Sequence, residues 1–337
     1  MNNRVSIKEV AKKAGVSVAT ISYVLNGTGK AKRISETTIK KAQDAINELG
    51  YIPNVSAINL RSGITRTIAV IIPDLSSYFF AMILKGIESY ATKENYKVIV
   101  YQSAECVEKE KKIFNELTHT TAEGVLFSAS IGNKNQGGHV ANLSRVMPVV
   151  NFDRILEGLE LPQVISDDYQ AGYKAGQYLL TKSCKQILFL GVDTTVSVFK
   201  LRHEGFRKAI EELGNDKVHV TEVMCKCDAE SEVIIENALE SQFAFDGVFS
   251  CNEKYTIQLL KKMVSKNGYG INKSIPIVSF YNYPDVDLLT PRIKAIKQQP
   301  FEMGEKACSL LLNKLQQKGE LLNEMNEPIV IPCEYDF

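Results

Sequence analysis

The sequence predicts a small all-α head followed by a larger α/β body of doubly wound parallel sheets. Three observations carry this prediction. Helical apolar periodicity fills residues 7–49 and leaves no strand candidate there. From Arg66 onward, short apolar runs alternate with amphipathic stretches, the pattern of helices covering both faces of parallel sheets. Charge also changes sign: residues 1–66 hold 11 Lys/Arg against 4 Asp/Glu, a formal +7, whereas residues 67–337 hold 29 against 35, a formal −6. A basic head on an acidic body points to a polyanion-binding module.

At 337 residues the chain has room for two or three domains of roughly 100–200 residues each. With 45% hydrophobic and 23% charged residues, it is neither disordered nor fibrous as a whole. Apolar runs such as Ile68–Pro73 and Val146–Val150 fall far short of the ~20 residues of a membrane span. The opening MNNRVSIKEVAKKAG lacks the apolar core of a secretory signal, so a cytoplasmic location is expected. Seven cysteines without a C-x-x-C pair read as reduced thiols, Cys225 and Cys227 forming only an isolated C-x-C. His119, His139, His203 and His219 have no metal-ligand spacing, and neither metal nor cofactor is expected. An enzyme is not expected either: there is no P-loop, no G-x-G-x-x-G after the first strand and no G-x-S-x-G elbow.

In the head, Ser6 caps a first helix, Ile7–Ala14, whose Ile7, Val10, Ala11 and Ala14 form one apolar stripe. Gly15 supplies a left-handed turn residue, and Ser17 caps a second helix, Val18–Leu25, giving a helix-turn-helix. A third helix, Glu36–Leu49, starts at the cap Ser35, presents Ile39, Ala42, Ile46 and Leu49, and stops at Gly50. Ala11, Val16, Ile21, Val24 and Leu25 should pack inward, leaving Ser17, Val18, Ala19, Ser22 and Tyr23 outside. A helix in the major groove reads bases from its N-terminal residues, which assigns Val18, Ala19 and Tyr23 as readers. Val18 and Ala19 suit thymine methyl groups, while Ser17, Thr20, Ser22 and Asn26 carry short polar groups for phosphate oxygens, and Ser6 is a further DNA-binding candidate.

The body offers strands at Thr67–Ile72, Val98–Tyr101, Gly124–Phe127, Pro148–Phe152, Gln186–Leu190, Asp246–Ser250, Ile275–Phe280 and Ile293–Lys297. Helical stretches lie between them at Phe80–Lys93, Lys109–Leu117, Gln170–Leu180 and Leu201–Leu213. In such folds ligands bind at the carboxyl ends of the strands.

The run VSIKEVAKKAGVSVATISYVLNG followed by ISETTIKKAQDAINELGYIPN resembles the lactose-repressor/galactose-repressor (LacI/GalR) family. The likeness continues through Asn54–Arg61 and, more loosely, to Phe337. It implies a hinge helix at about Asn54–Leu60 that folds only when two chains lie side by side on operator DNA. Asn54, Ala57 and Leu60 would contact the DNA, Leu60 as an apolar wedge between base steps. A helix of about seven residues is too short to be stable alone, so its folding is coupled to binding. The domains would be 1–53 (helix-turn-helix), 54–66 (hinge and linker) and 67–337 (effector and dimerisation body). The body resembles periplasmic sugar-binding proteins, with an N-lobe of about 67–163 plus 293–321, a C-lobe of about 164–292 plus 322–337, and an effector in the cleft. A homodimer is expected because one helix-turn-helix reads only a half-site. No leucine heptads follow the last strand, so a tail-mediated tetramer is not.

Tyr78, Phe79 and Phe80 stand just past the first strand, where an aromatic can stack on a sugar or base. The family pattern has proline at position 78. Arg202 in RHEGF matches the family's effector-binding arginine, while Gly205 and Phe206 read as helix packing. Asp153 in VNFDR and Asp167 in VISDD match cleft-facing positions. Phe249, in the strand before Asn252 and Glu253, is a further effector-binding candidate; Asn252 and Glu253 stand where the family shows Asn-Asp, Gln298 agrees with the pattern, and Tyr281 replaces a pocket aspartate. The resemblance thus implies a repressor of a catabolic or transport operon that binds a palindromic operator as a homodimer and responds to a sugar or sugar phosphate. The alternatives are a sugar-binding protein of the same body fold without specific operator binding, a regulator controlled by a protein corepressor, and a DNA binder without sequence preference.

Overall fold

A computed structural model describes residues 5–30, 32–52, 64–130, 137–156, 158–225, 228–240, 245–267, 275–284, 288, 293–316 and 327–337. It divides into two compact units, Met1–Thr65 and Arg66–Phe337.

The first unit is three helices: α1 (Ile7–Ala14), α2 (Val18–Leu25) and α3 (Glu36–Glu48). A capping box starts α1, with the Glu9 carboxylate accepting the Ser6 backbone N–H at 2.6 Å and the Ser6 hydroxyl accepting the Glu9 N–H at 3.3 Å. Gly15 ends α1 in the left-handed region at φ 65, which lets the chain turn sharply into Ser17. Val10, Ala11, Ile21, Ala42, Ala45 and Ile46 make the buried core, with Val16, Val24 and Leu25 packed at its margin. The expected hinge helix, Asn54–Leu60, lies outside the described residues.

The second unit has two lobes. The N-lobe begins with β1 (Thr67–Ile72), α4 (Tyr78–Lys93), β2 (Lys97–Gln102), α5 (Val107–Leu117), β3 (Gly124–Phe127), α6 (Gly138–Ser144), β4 (Val149–Phe152) and β5 (Gln163–Ser166). The C-lobe follows as α7 (Asp168–Thr181), β6 (Gln186–Val192), α8 (Ser197–Leu213), β7 (His219–Cys225), α9 (Asp228–Glu240), β8 (Gly247–Ser250), α10 (Glu253–Asn267), β9 (Ile277–Phe280) and β10 (Ile293–Lys297). The chain then returns to the N-lobe with α11 (Pro300–Gln316) and β11 (Ile329–Ile331), and ends in the C-lobe with β12 (Glu334–Tyr335).

The two sheets repeat one order, β11-β5-β4-β3-β1-β2 and β12-β10-β9-β8-β6-β7. All their ladders are parallel except β10 with β12. The central strand β1, TIAVII, is buried along its whole length because α4 and α11 cover one face while α5 and α6 cover the other. In the C-lobe α9 and α10 pack on one face and α7 and α8 on the other. Gly205 lets α7 and α8 touch along their backbones, since a Cβ there would overlap the carbonyl oxygen of Tyr169.

The lobe crossovers differ from the sequence expectation. β5 stays in the N-lobe through Ser166, paired with β4 at Phe152↔Val164. β10 belongs to the C-lobe rather than the N-lobe, since Ile293 pairs with Ile277 and Ala295 and Ile293 fill the C-lobe core. β11 belongs to the N-lobe rather than the C-lobe, pairing with β5 at Ile329↔Val164. The three linkers therefore fall after Ser166, after Lys297 and after Ile331.

Candidate functional site

The first unit presents its recognition surface on α2. The Ser17 hydroxyl accepts the Thr20 N–H at 3.1 Å and lies 2.9 Å from the Thr20 hydroxyl, so both groups fix the start of the helix. Ile21 faces the core, which turns Val18 (40% exposed) and Tyr23 (38% exposed) outward, with Ala19 and Asn26 also exposed and Ser22 half-buried. Apolar and aromatic side chains left in water on a basic head form a surface suited to base edges. The Lys32 ammonium sits over the Tyr23 ring, 5.5 Å from its centroid, and adds positive charge beside it. Ser6 is engaged in the capping box described above, and Asn54, Ala57 and Leu60 lie outside the described residues.

In the second unit the carboxyl ends of both sheets meet at the inter-lobe cleft. Asp153 follows β4 in the left-handed region at φ 68, a conformation that aspartate tolerates better than most residues. Its carboxyl is 4% exposed, takes a 3.3 Å hydrogen bond from the Ser128 hydroxyl, and stands 3.7 Å from Nε of Arg154. Burial, reinforced by the Asp168 carboxylate, pushes the Asp153 pKa up to about 6 against the pull of Arg154 and Arg202.

Both buried arginines hold a carboxylate and a carbonyl through their guanidinium groups, while Nε of Arg154 has no hydrogen-bond partner among the described residues. Arg154 donates to the two oxygens of Glu105 at 2.7 and 2.6 Å and to the Ala129 carbonyl at 3.0 Å. Arg202 donates from Nε to Asp168 at 2.7 Å and from a terminal nitrogen to the Cys251 carbonyl at 2.8 Å. Its guanidinium carbon also sits over the Phe280 ring, 3.5 Å from the centroid. Burial raises the Asp168 pKa while Arg202 opposes that rise, and the second Asp168 oxygen is buried with no hydrogen-bond partner among the described residues.

Other expected residues cap elements or tie linkers together. The Asn252 side chain accepts the Lys254 N–H at 2.8 Å at the start of α10. Burial raises the Glu253 pKa, opposed by a hydrogen bond from the Asn282 backbone. Gln298, in the second linker, donates at 3.0 Å to the hydroxyl of Ser166, the last residue of β5 before the first linker. Asp167 accepts the Gln170 N–H at 3.1 Å and caps α7.

Tyr78 lies at the cleft and lines a cavity of about 210 Å³ with Met82, Asn282, Lys297 and Gln298. Four expected aromatic contacts need correction. Phe79 and Phe80 pack into the N-lobe core, because the first turn of α4 points them at β1. Phe249 is 0% exposed and fills the space between Phe189, Phe206 and Phe280. Tyr281 is 2% exposed in the C-lobe core and supports Tyr283 from 5.5 Å.

Sequence reasoning missed Arg154, Asp168, Ser197 and Tyr283. The Ser197 hydroxyl accepts the Ile155 N–H at 2.8 Å across the lobes. Arg154 was within reach, standing beside Asp153 in the same VNFDR run; Tyr283 lies beyond any strand pattern. Among the described residues, no helix is long and apolar enough to cross a membrane and no group of three or more His, Cys, Asp or Glu is placed to hold a metal ion.

A helix-turn-helix unit joined to a two-lobed body with a polar cleft defines the class of ligand-responsive DNA-binding regulators. Residues 6–54 match the model of the bacterial regulatory proteins of the lacI family, and residues 65–335 match that of the periplasmic binding proteins and sugar-binding domain of the LacI family. The chain belongs to the LacI family. It is 29% identical to the HTH-type transcriptional regulator RegA of Clostridium saccharobutylicum over 96% of this chain and 95% of that protein. It is likewise 29% identical to the sucrose operon repressor of Lactococcus lactis over 92% of this chain and 93% of that one. Its fold matches a lac repressor dimer bound to operator and the anti-inducer ONPF, with a TM-score of 0.85 at 19% identity, covering 99% of this chain and 98% of that chain.

Proposed function

We propose that the protein is a cytoplasmic, sequence-specific transcriptional repressor that binds a twofold operator as a homodimer, with affinity set by an uncharged sugar-like effector in the inter-lobe cleft. The observation that carries this reading is the pairing, in one chain, of an outward Val18–Tyr23 face with a cleft of buried hydrogen-bonding groups. Val18, Ala19 and Tyr23 read bases, and Ser17, Thr20, Ser22 and Asn26 hold the backbone. Asn54, Ala57 and Leu60 enter the minor groove as the hinge folds on the operator.

Tyr78, Asp153, Arg202, Asn252, Glu253 and Gln298 form the effector side. An uncharged polyol is favoured over a sugar phosphate because Arg154 and Arg202 are each bound to a carboxylate and a carbonyl. Lys297 stands 3.4 Å from Asp336. Asp153 and the unpartnered Asp168 oxygen instead ask for hydroxyl donors. The relative's name, sucrose operon repressor, points the same way.

The test is selection of bound fragments from random and genomic DNA at near-physiological salt, then release of the enriched site by sugars and their phosphates. Enrichment of one twofold-symmetric site, released by a neutral sugar at lower concentration than by its phosphate, is the expected outcome. Binding that fades with salt and enriches no site refutes the repressor reading. Release by the phosphate alone refutes the uncharged effector.

A further inference from the structure

We propose that Tyr78 and Tyr283 form an aromatic latch that holds the two lobes together. Tyr78 opens α4 of the N-lobe; Tyr283 follows β9 of the C-lobe. Their rings stack with centroids 5.0 Å apart and planes at 25°, so the contact bridges the cleft directly. Tyr283 is backed in turn by Tyr281, whose ring is 5.5 Å away and anchored in the C-lobe core. The C-lobe half of the latch therefore stands on a rigid base.

The N-lobe half is equally fixed, because the residues after Tyr78 are Phe79 and Phe80, locked in the core beside β1. The backbone that carries each ring is thus fixed to its own lobe. A second bridge lies elsewhere in the cleft, where Ile155 donates its N–H to the Ser197 hydroxyl at 2.8 Å. One edge of the cleft is thus held by a ring pair and another by a hydrogen bond. Lobe opening breaks both together, whereas a local ring flip breaks only the first.

This difference gives a test that needs neither operator nor effector, so its failure is separable from failure of the repressor reading. Amide hydrogen exchange is followed by mass spectrometry on the full chain without ligand, in the wild type, Tyr78→Ala and Tyr78→Phe. Loss of the ring pair should raise exchange at the Ile155 amide about two- to tenfold, the range expected for a stacked pair of this kind. The phenylalanine variant keeps the stack and should match the wild type. Unchanged β1 amides in all three proteins show that the N-lobe remains folded. If Ile155 exchanges equally in the alanine variant and the wild type, or if the phenylalanine variant opens as far as the alanine variant, the latch is overturned.

Discussion

Asp153→Asn should stabilise the body, and by more at pH 8 than at pH 5. The carboxyl is buried, and its pKa is raised from 3.8 to about 6. Each tenfold in proton affinity corresponds to about 1.4 kcal/mol, so the ionised group costs the folded state about 3 kcal/mol. The folded protein holds this proton more tightly than the unfolded chain does. Stability is therefore full below about pH 4, falls as pH rises between about 4 and 6, and stays reduced above that range. Asparagine mimics the protonated acid, offers an oxygen to Ser128, and accepts the left-handed backbone at φ 68. Urea unfolding followed by circular dichroism should show the variant ahead of the wild type by about 3 kcal/mol at pH 8. At pH 5 the lead should shrink to roughly half of that. An equal lead at both pH values, or a variant less stable at pH 8, would refute the assignment of Asp153 as a buried, unfavourably ionised carboxyl.

Three further outcomes are expected. Leu60→Ala should weaken specific operator binding while leaving effector affinity of the body unchanged by calorimetry, because the wedge acts only on DNA. Tyr23→Ala should weaken the operator complex by about 1–3 kcal/mol in gel-shift titrations, with little change on random DNA, since a base contact discriminates and a phosphate contact does not. Gly205→Ala should lower the thermal midpoint through a loss of about 1–3 kcal/mol, because the added Cβ meets the Tyr169 backbone and α7 and α8 must separate.

The head was legible because its signals are local. Ser6, Gly15, Ser17 and Ser35 punctuate three helices, and each cap sits where the sequence puts it. The body's central strands were legible for a similar reason, being continuous apolar runs buried on both faces, as in TIAVII. Of the edge strands only β2 was legible, as the run VIVY, and the short interior strand β5 was not. β7 has no two-residue burial period, its exposed positions falling three apart and only Cys225 being buried, and β11 and β12 have only three and two residues, too few to show a period. The crossovers failed with them, since a strand's lobe is decided by its pairing partner far along the chain, and nothing inside IKAIK distinguishes β9 from an N-lobe neighbour. Gly205 was read correctly as packing. Phe249 and Tyr281 were misplaced because a residue at a strand end faces cleft or core according to the pleat and the covering helices, a tertiary fact.

The same tertiary fact gives the aromatic residues at 78 and 281 a common meaning. Tyr281 supplies no carboxylate; it braces Tyr283, and Tyr283 meets Tyr78 across the cleft. A ring pair worth about 0.5–1.5 kcal/mol biases the lobes toward closure by roughly two- to tenfold, far less than a switch needs by itself. Such a bias leaves the decision with the ligand, which moves the lobes only by its differential affinity for the two states. A ligand that fits beside the intact stack adds its binding energy to closure. A ligand that needs the volume of the Tyr78 ring must part the rings and draws the lobes open. The sign of the response, corepression or induction, then follows from whether the bound effector leaves Tyr78 on Tyr283.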